Sequence, residues 1–326
     1  MFKQLLCPTL VEASFASQLL AAGRYHTVFV QHSGRAIACG LNAAGESSLP
    51  ALPPNLAYLA VSAGEQHSVL LRSDGKAVAC GLNLDGQTDI PMQVGGGRWV
   101  AVSAGGFHTV LLDDRGHVAS CGSNQRGQRS FGEVPPGGGE YLAVAAGGQH
   151  TVLLCSGDRV LCCGLGSFVW EHLLYTWLTE IVRELVGAWC TVPPLPDPGP
   201  PLRPGAQHSI LLRSDGQAAA FGSGLHGQCN VPDLAQSGLR YVAAAAGASH
   251  SVLIRNDGQA IAFGDNSQHQ CRVPELPRGM RYLAAAAGYQ HTVLLRSDGR
   301  LVAFGADNEG QCQLPDWQPV FAASGA

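Results

Sequence analysis

The sequence predicts an all-β protein, a seven-bladed β-propeller with one helical and proline-rich insertion in its fourth repeat. Three observations lead there. A Gly-x-x-His signature followed by Thr or Ser and an apolar run occurs seven times, at His26, His67, His108, His150, His208, His250 and His291. Successive histidines lie 41, 41, 42, 58, 42 and 41 residues apart, so one spacing alone departs from the period. Of 326 residues, 42 are Gly and only 13% are charged, against about 7% and 25% in an ordinary domain. Units near 40 residues with Gly-rich turns and no helical periodicity fit propeller blades. Closing the ring hides the sheet edges that an open stack of units would have to cap.

Residues 1–16 precede the repeats as an N-terminal extension, and residues 17–326 form a single propeller domain. In Met1 to Leu20, Pro8 and Glu12 interrupt a short apolar stretch and no cleavage site follows, so no secretory signal is expected. No uncharged apolar run reaches the roughly 18 residues of a membrane-spanning helix. A soluble chain in the cytoplasm or nucleus is the expectation.

The second unit shows the elements in order. Tyr58 to Ala63 (YLAVSA) is an apolar strand, and Gly64 opens the turn to His67. His67 to Arg72 (HSVLLR) is a partly β-branched run that reads as a second strand. Asp74-Gly75 supplies a hairpin in which Gly accepts a positive φ. Lys76 to Cys80 returns antiparallel, and Asn83, Gly86, Gln87 and Pro91 provide the turn chemistry that crosses to the next unit. The sixth and seventh units repeat the pattern, as in Tyr282 to Gly288, His291 to Arg296 and Leu301 to Gly305. Pro319 to Ser324 (PVFAAS) resembles the start of an eighth unit and could supply a closing strand.

The fourth unit breaks the pattern over residues 168–204. From Phe168 to Trp189, apolar residues at Trp170, Leu173, Leu174, Trp177, Leu178, Ile181, Leu185 and Trp189 follow helical spacing. An amphipathic helix is expected, with Trp170, Trp177 and Trp189 on its apolar face as candidate partner contacts. Its acidic polar face argues against an anionic membrane surface. Pro193 to Pro204 has seven prolines, which favour a stiff polyproline II linker.

The pattern AGxxH[TS]VLL-x-SDG-x-AVAxG-x-N-x-x-GQ resembles the repeats of the regulator of chromosome condensation family over nearly all of residues 17–318 apart from the insert. The compact units look more like those of bacterial relatives, including a propeller-type β-lactamase inhibitor. The resemblance implies a seven-bladed propeller. It leaves function wide, because relatives act as guanine-nucleotide exchange factors, as partner-binding domains of HECT ubiquitin ligases, as enzyme inhibitors and as plant UV-B photoreceptors. The last needs clustered tryptophans among the turns, and Trp99 and Trp317 stand alone.

Repetition separates scaffold from site. Seven histidines in equivalent positions spread around a ring cannot gather on one metal, so each is read as a structural imidazole bonded to backbone. The glycines before them are read as serving tight backbone conformations. Cys39, Cys80, Cys121 and Cys163 share a column with Phe221, Phe263 and Phe304, which is how a core position behaves, and reduced thiols are expected. No P-loop, HExxH or GxSxG motif occurs, so no enzyme, cofactor or metal is expected. A net charge of −4 with 20 Lys and Arg disfavours nucleic acid.

Variation points to the site. The two residues between Gly and His differ in every unit, and the candidates are Arg24, Tyr25, Glu65, Gln66, Phe107, Gln149, Gln207, Ser249, Tyr289 and Gln290. On one face they would form a ring of aromatics among adaptable polar groups, which suits protein recognition. The Asn-x-x-Gly loops, such as Leu84-Asp85 and Leu225-His226, form a second variable set whose face is not fixed by the pattern. The expected function is a monomeric, non-enzymatic scaffold for a protein partner, alone or within a ubiquitin ligase system. Nucleotide exchange on a small GTPase is the alternative.

Overall fold

The computed structural model describes residues 18–315, except 94–95, 133–134, 136–137, 157–158, 166–167, 171–201, 205–207, 213–215 and 235–236. Seven antiparallel sheets follow one another along the chain. Blade one is β1 (Leu20–Ala22), β2 (His26–Val30) and β3 (Ala36–Gly40). Blade two is β4 (Tyr58–Ala63), β5 (His67–Arg72) and β6 (Ala77–Gly81), and blade three is β7 (Trp99–Ala104), β8 (His108–Asp113) and β9 (Val118–Gly122). Blade four has four strands, β10 (Tyr141–Ala146), β11 (His150–Cys155), β12 (Arg159–Gly164) and β13 (Phe168–Trp170). Blade five is β14 (Leu202–Pro204), β15 (His208–Leu212) and β16 (Ala218–Gly222). Blade six is β17 (Tyr241–Ala246), β18 (His250–Arg255) and β19 (Ala260–Gly264), and blade seven is β20 (Tyr282–Ala287), β21 (His291–Arg296) and β22 (Leu301–Gly305).

Residue size follows position in the blade. The first strand of each sheet is innermost and small, as in the alanine run of β17 and β20, because seven strands converge on one axis. The middle strand is covered on both faces by neighbouring blades, so Val69, Leu70, Val110, Leu111, Leu253 and Leu294 are wholly buried. A strand buried on both sides reads as a continuous apolar run rather than an alternating one, which is what VLL after each histidine shows. Apolar clusters join adjacent blades. Val28, Leu70 and Leu295 belong to one cluster spanning blades seven, one and two, and Leu20, Phe29 and Val293 to another across blades seven and one. The inner strand β1 touches both β4 and β20, so the ring is closed.

Two expectations change. Phe168–Trp170 is not the start of a helix but β13, paired antiparallel with β12 through Leu161↔Val169, where the ladder's free edge outweighs the helical spacing downstream. Leu202–Pro204 is not linker but the inner strand of blade five, paired with β15. The rest of the expected helix and proline-rich linker, with Trp177 and Trp189, lies outside the described residues, as does the suggested closing strand 319–324. Blade one takes its inner strand from the N-terminal side. Among the described residues no helix is long and apolar enough to cross a membrane.

Candidate functional site

Each repeat histidine begins the middle strand of its blade, and its Nε2 reaches the hydroxyl that follows the histidine of the next blade. His26 meets Ser68 at 3.0 Å, His67 meets Thr109 at 3.0 Å and His108 meets Thr151 at 2.8 Å. His150 meets Ser209 at 3.0 Å, His208 meets Ser251 at 2.9 Å and His250 meets Thr292 at 2.9 Å. The circle closes where His291 meets Thr27 at 3.1 Å. Six of these hydroxyls, those of Thr27, Ser68, Thr109, Thr151, Ser251 and Thr292, also donate to a backbone carbonyl of the preceding blade, as in Ser68 to Glu46 at 2.7 Å and Thr109 to Gln87 at 2.7 Å. A hydroxyl has one proton to give. Having given it to a carbonyl, it accepts from Nε2–H, which assigns the tautomer.

The histidines are therefore scaffold, and their partner is a neighbouring hydroxyl instead of the expected backbone group. Burial pushes His26, His108 and His250 down to about 3, with smaller contributions from adjacent histidines. Burial likewise lowers His67, His150, His208 and His291 to about 4. The glycine three residues earlier has a specific steric reason. At Gly64 a Cβ would run into the His67 ring and the Gly105 carbonyl of the next blade, so close approach, not a positive φ, excludes a side chain.

The segment between Gly and His forms the mouth of the axis. Arg24, Glu65, Gly106, Gly148, Ala248 and Tyr289, the first residue of the variable pair in six blades, line one open funnel. The second residue lies farther out and ties the turn to the third strand. Leu41 N–H donates to the Tyr25 carbonyl, Leu82 to Gln66, Ser123 to Phe107, Leu165 to Gln149, Asp265 to Ser249 and Ala306 to Gln290. These bonds also settle the face of the Asn-x-x-Gly loops. They leave the third strand beside the funnel, and Leu84 and Leu225 project there at 87% and 83% exposure.

Bulk around the funnel is unequal. Arg24, Tyr25, Glu65 and Tyr289 come together across blades seven, one and two. The Arg24 guanidinium carbon lies 5.1 Å from the Tyr25 ring centre and 4.9 Å from that of Tyr289. The two rings are 6.2 Å apart and tilted by 51°, within the range for favourable aromatic pairs. Arg24 Nη1 pairs with Glu65 Oε2 at 3.1 Å, and the Glu65 carboxylate leans over Gly106. Beyond Glu65 the described part of the wall carries only small residues, Gly106, Gly148 and Ala248. Phe107, Gln66, Gln149, Ser249 and Gln290 surround this mouth without joining the cluster. Gln207 lies outside the described residues, and Trp170 contributes backbone to β13. What the variable positions did not single out is the bare sector, whose signal is the small residue at the first position of blades three, four and six.

The thiols are quiet. Cys39, Cys80 and Cys121 have Sγ near the carbonyls of Gln311, Glu46 and Gln87, and burial pushes each up to about 11. Among the described residues no disulfide joins the nine cysteines.

With this geometry in hand, the Regulator of chromosome condensation (RCC1) repeat matches residues 59–87, 99–128, 142–168, 241–270 and 284–311, which are blades two, three, four, six and seven. The chain belongs to the RCC1-like repeat family. Solved structures agree on its propeller. Human WBSCR16 superimposes with a TM-score of 0.65 at 18% identity, covering 85% of this chain and 86% of that one. The CRINKLY WD40 ectodomain of the Arabidopsis thaliana receptor kinase ACR4 gives 0.63 at 18%, covering 90% and 97%. Prp20p from Saccharomyces cerevisiae gives 0.64 at 17%, covering 89% and 83%. At such identities the likeness concerns the fold. No curated protein sequence matches this RCC1-like chain.

Proposed function

We propose that this RCC1-like propeller is a non-enzymatic scaffold that binds a protein partner at the funnel mouth on its histidine face. The observation carrying the reading is the unequal rim. An Arg24–Tyr25–Tyr289–Glu65 cluster stands beside a bare wall of Gly106, Gly148 and Ala248, so a rigid ring offers an aromatic and charged anchor next to an open space. Anchors of Tyr and Arg around a space that a partner side chain can fill are what recognition sites use. Leu84 and Leu225 widen the surface on the same face. Relatives of this fold support the class of partner: yeast RCC1 is seen bound to Kap60, and Prp20p is described for its binding to Gsp1p and histones. No catalytic role falls to the histidines, whose Nε2 atoms are committed to hydroxyls.

Affinity capture from native lysate tests this, comparing the intact protein with Glu65→Gln and with Tyr25→Ala/Tyr289→Ala. Glu65→Gln keeps size and fold while removing the charge. Captured partner is expected to fall about tenfold or more in the aromatic double variant, equivalent to a loss of roughly 1.4 kcal/mol. Undiminished capture by both variants would place the binding surface elsewhere. If the partner is a small GTPase, release of a fluorescent guanine nucleotide separates the readings, since acceleration assigns exchange and no acceleration assigns passive binding.

A further inference from the structure

Each middle strand begins at its histidine beside the funnel and ends in the hairpin to the third strand, so the hairpins make up the opposite face. In blades one, two, six and seven the hairpin has one design, with Gln31 N–H donating to the Arg35 carbonyl, Arg72 to Lys76, Arg255 to Gln259 and Arg296 to Arg300. Cations gather on these turns. Arg72, Arg255 and Arg296 each hold the aspartate two residues on, Asp74, Asp257 and Asp298. Arg35, Lys76 and Arg300 stand exposed at the last position of their hairpins, Arg300 lying 3.9 Å from the Asp298 carboxylate that Arg296 already holds. Two more arginines arrive from the next blade. Arg98 and Arg281, the residues before β7 and β20, lay their stems over Gly75 and Gly258 and are exposed, and Arg98 Nη2 donates to the Ser73 carbonyl at 2.8 Å. Ring closure makes these four blades consecutive. Among the described residues their hairpins therefore share an arc of eight cations and three carboxylates, an excess of positive charge on a chain whose net charge is −4. Glu275 and Arg278, on the segment leading to Arg281, offset each other. The arc ends at blade three, where Asp113 and Asp114 stand against Arg115 and Glu140 lies over Gly116.

We propose that this arc is a docking surface for a short acidic segment of a protein, a run of Asp and Glu side chains laid from blade six to blade two. Shape selects the occupant. An anionic bilayer or a nucleic-acid duplex would cover the whole face and bring its charge against the exposed Asp114 and Glu140, whereas one extended chain can follow the arc and stop short of them. The chemistry also matches. Four of the five exposed cations, Arg35, Arg98, Arg281 and Arg300, are guanidiniums, whose planar fork takes a carboxylate through two parallel hydrogen bonds. The hairpins already display that pairing, since Arg72 Nε and Nη2 meet the two carboxylate oxygens of Asp74. Exposed charges are screened over roughly 8–10 Å. A segment bound along the arc therefore senses the local excess of cations and not the net charge of the chain.

The test titrates a fluorescein-labelled decaglutamate peptide onto the full chain and reads anisotropy at low salt and at physiological ionic strength. Saturable binding that weakens with salt is expected. Arg35→Gln/Lys76→Gln/Arg300→Gln changes only exposed side chains, and it is expected to weaken binding about tenfold with the urea midpoint unchanged. Arg281→Gln, one guanidinium fewer, is expected to cost about threefold. The control Arg126→Gln/Arg272→Gln, on the histidine face, is expected to bind as the parent does. No binding at low salt, or equal affinity in the parent and both hairpin-face variants, would overturn the proposal. Phosphatidylcholine vesicles containing phosphatidylserine and a short DNA duplex are the comparison probes. Tighter binding of either one than of the peptide would also overturn it, by assigning the arc to a lipid surface or to nucleic acid. No variant touches the funnel, so the proposal and the binding site on the other face fail separately.

Discussion

His291 and Thr27 are separated by 264 residues of chain and by 3.1 Å in space, and the bond between them joins the last blade to the first. Nothing else about that junction is special. The Thr27 hydroxyl donates to the Gln311 carbonyl at 2.9 Å, as Thr109 donates to Gln87 within the ring, and Tyr289 N–H reaches the Gly23 carbonyl at 3.2 Å. Blade one draws all three strands from the N-terminal side, so the ring closes by side-chain and turn contacts between complete sheets. The seven interfaces are copies of one design, and the predictions below follow from that equivalence.

Acid is expected to open the ring cooperatively. The histidines fold neutral, with pKa values of about 3 to 4, while an unfolded histidine titrates near 6.5. The unfolded chain therefore binds more protons below pH 6.5. The stabilisation is complete above that pH and is lost as pH falls through the window down to 4 and then 3. Each histidine withdraws up to about 1.4 kcal/mol per pH unit there. Seven acting together remove on the order of 10 kcal/mol by pH 5, comparable to the whole stability of a domain. Urea midpoints measured from pH 7.5 to 4.5 should fall steeply below 6.5. A flat profile would mean that the imidazoles are not buried neutral groups.

His269 occupies a place where five blades have glycine. Its φ is 65°, beside 80° at Gly86 and 81° at Gly227, and a residue with a Cβ is strained in that region. The side chain is exposed. Replacing it, His269→Gly, is expected to raise stability by about 0.5–1 kcal/mol, read as a higher melting temperature. A lower one would show that the His269 side chain makes a contact that offsets the strain.

Glu46 is the odd member of another column. Gln87, Gln128, Gln228, Gln270 and Gln311 fill the equivalent positions, and each turns a side-chain oxygen to the backbone N–H two residues earlier. Glu46 does the same for Ala44 at 2.8 Å, but it is 1% exposed and its Oε1 has no partner. A carboxyl oxygen buried without a partner is destabilising. Glu46→Gln keeps the bond to Ala44 and removes the charge, so a gain of about 1 kcal/mol is expected in denaturant unfolding. A loss would show that the carboxylate holds a bond in solution that the amide cannot replace.

Much of this was legible before the structure, and the remainder has physical reasons. The histidine spacing counts the blades because a geometric need repeated in every blade leaves a periodic trace. The alternating hairpins and the buried VLL runs follow from local chemistry. The role of Ser68 or Thr109 was visible as an invariant hydroxyl after each histidine, yet the bond it accepts comes from a histidine 42 residues away, and periodicity alone does not say which blade faces which. Phe168–Trp170 misled because three residues at the start of a helical pattern can equally extend a sheet edge. At Gly64 the sequence shows the need for glycine but not the neighbours that impose it, the His67 ring and the Gly105 carbonyl of the next blade. At the funnel, Arg24, Tyr25, Glu65 and Tyr289 were visible as variation. Their convergence depends on ring closure, which brings blade seven beside blade one.

That closure is the central claim, and one comparison tests it directly. Thr109→Val breaks an interface inside the chain, leaves His67 Nε2 without its hydroxyl and leaves the Gln87 carbonyl with only the weak Cys121 thiol, a loss expected to be about 1–3 kcal/mol. Thr27→Val makes the same change at the junction of first and last blades. In a closed ring of equivalent interfaces, urea unfolding should give Thr27→Val a destabilisation equal to that of Thr109→Val within about 0.5 kcal/mol. A Thr27→Val protein as stable as the parent, with Thr109→Val clearly weakened, would show that the ends do not meet and would contradict the closed propeller.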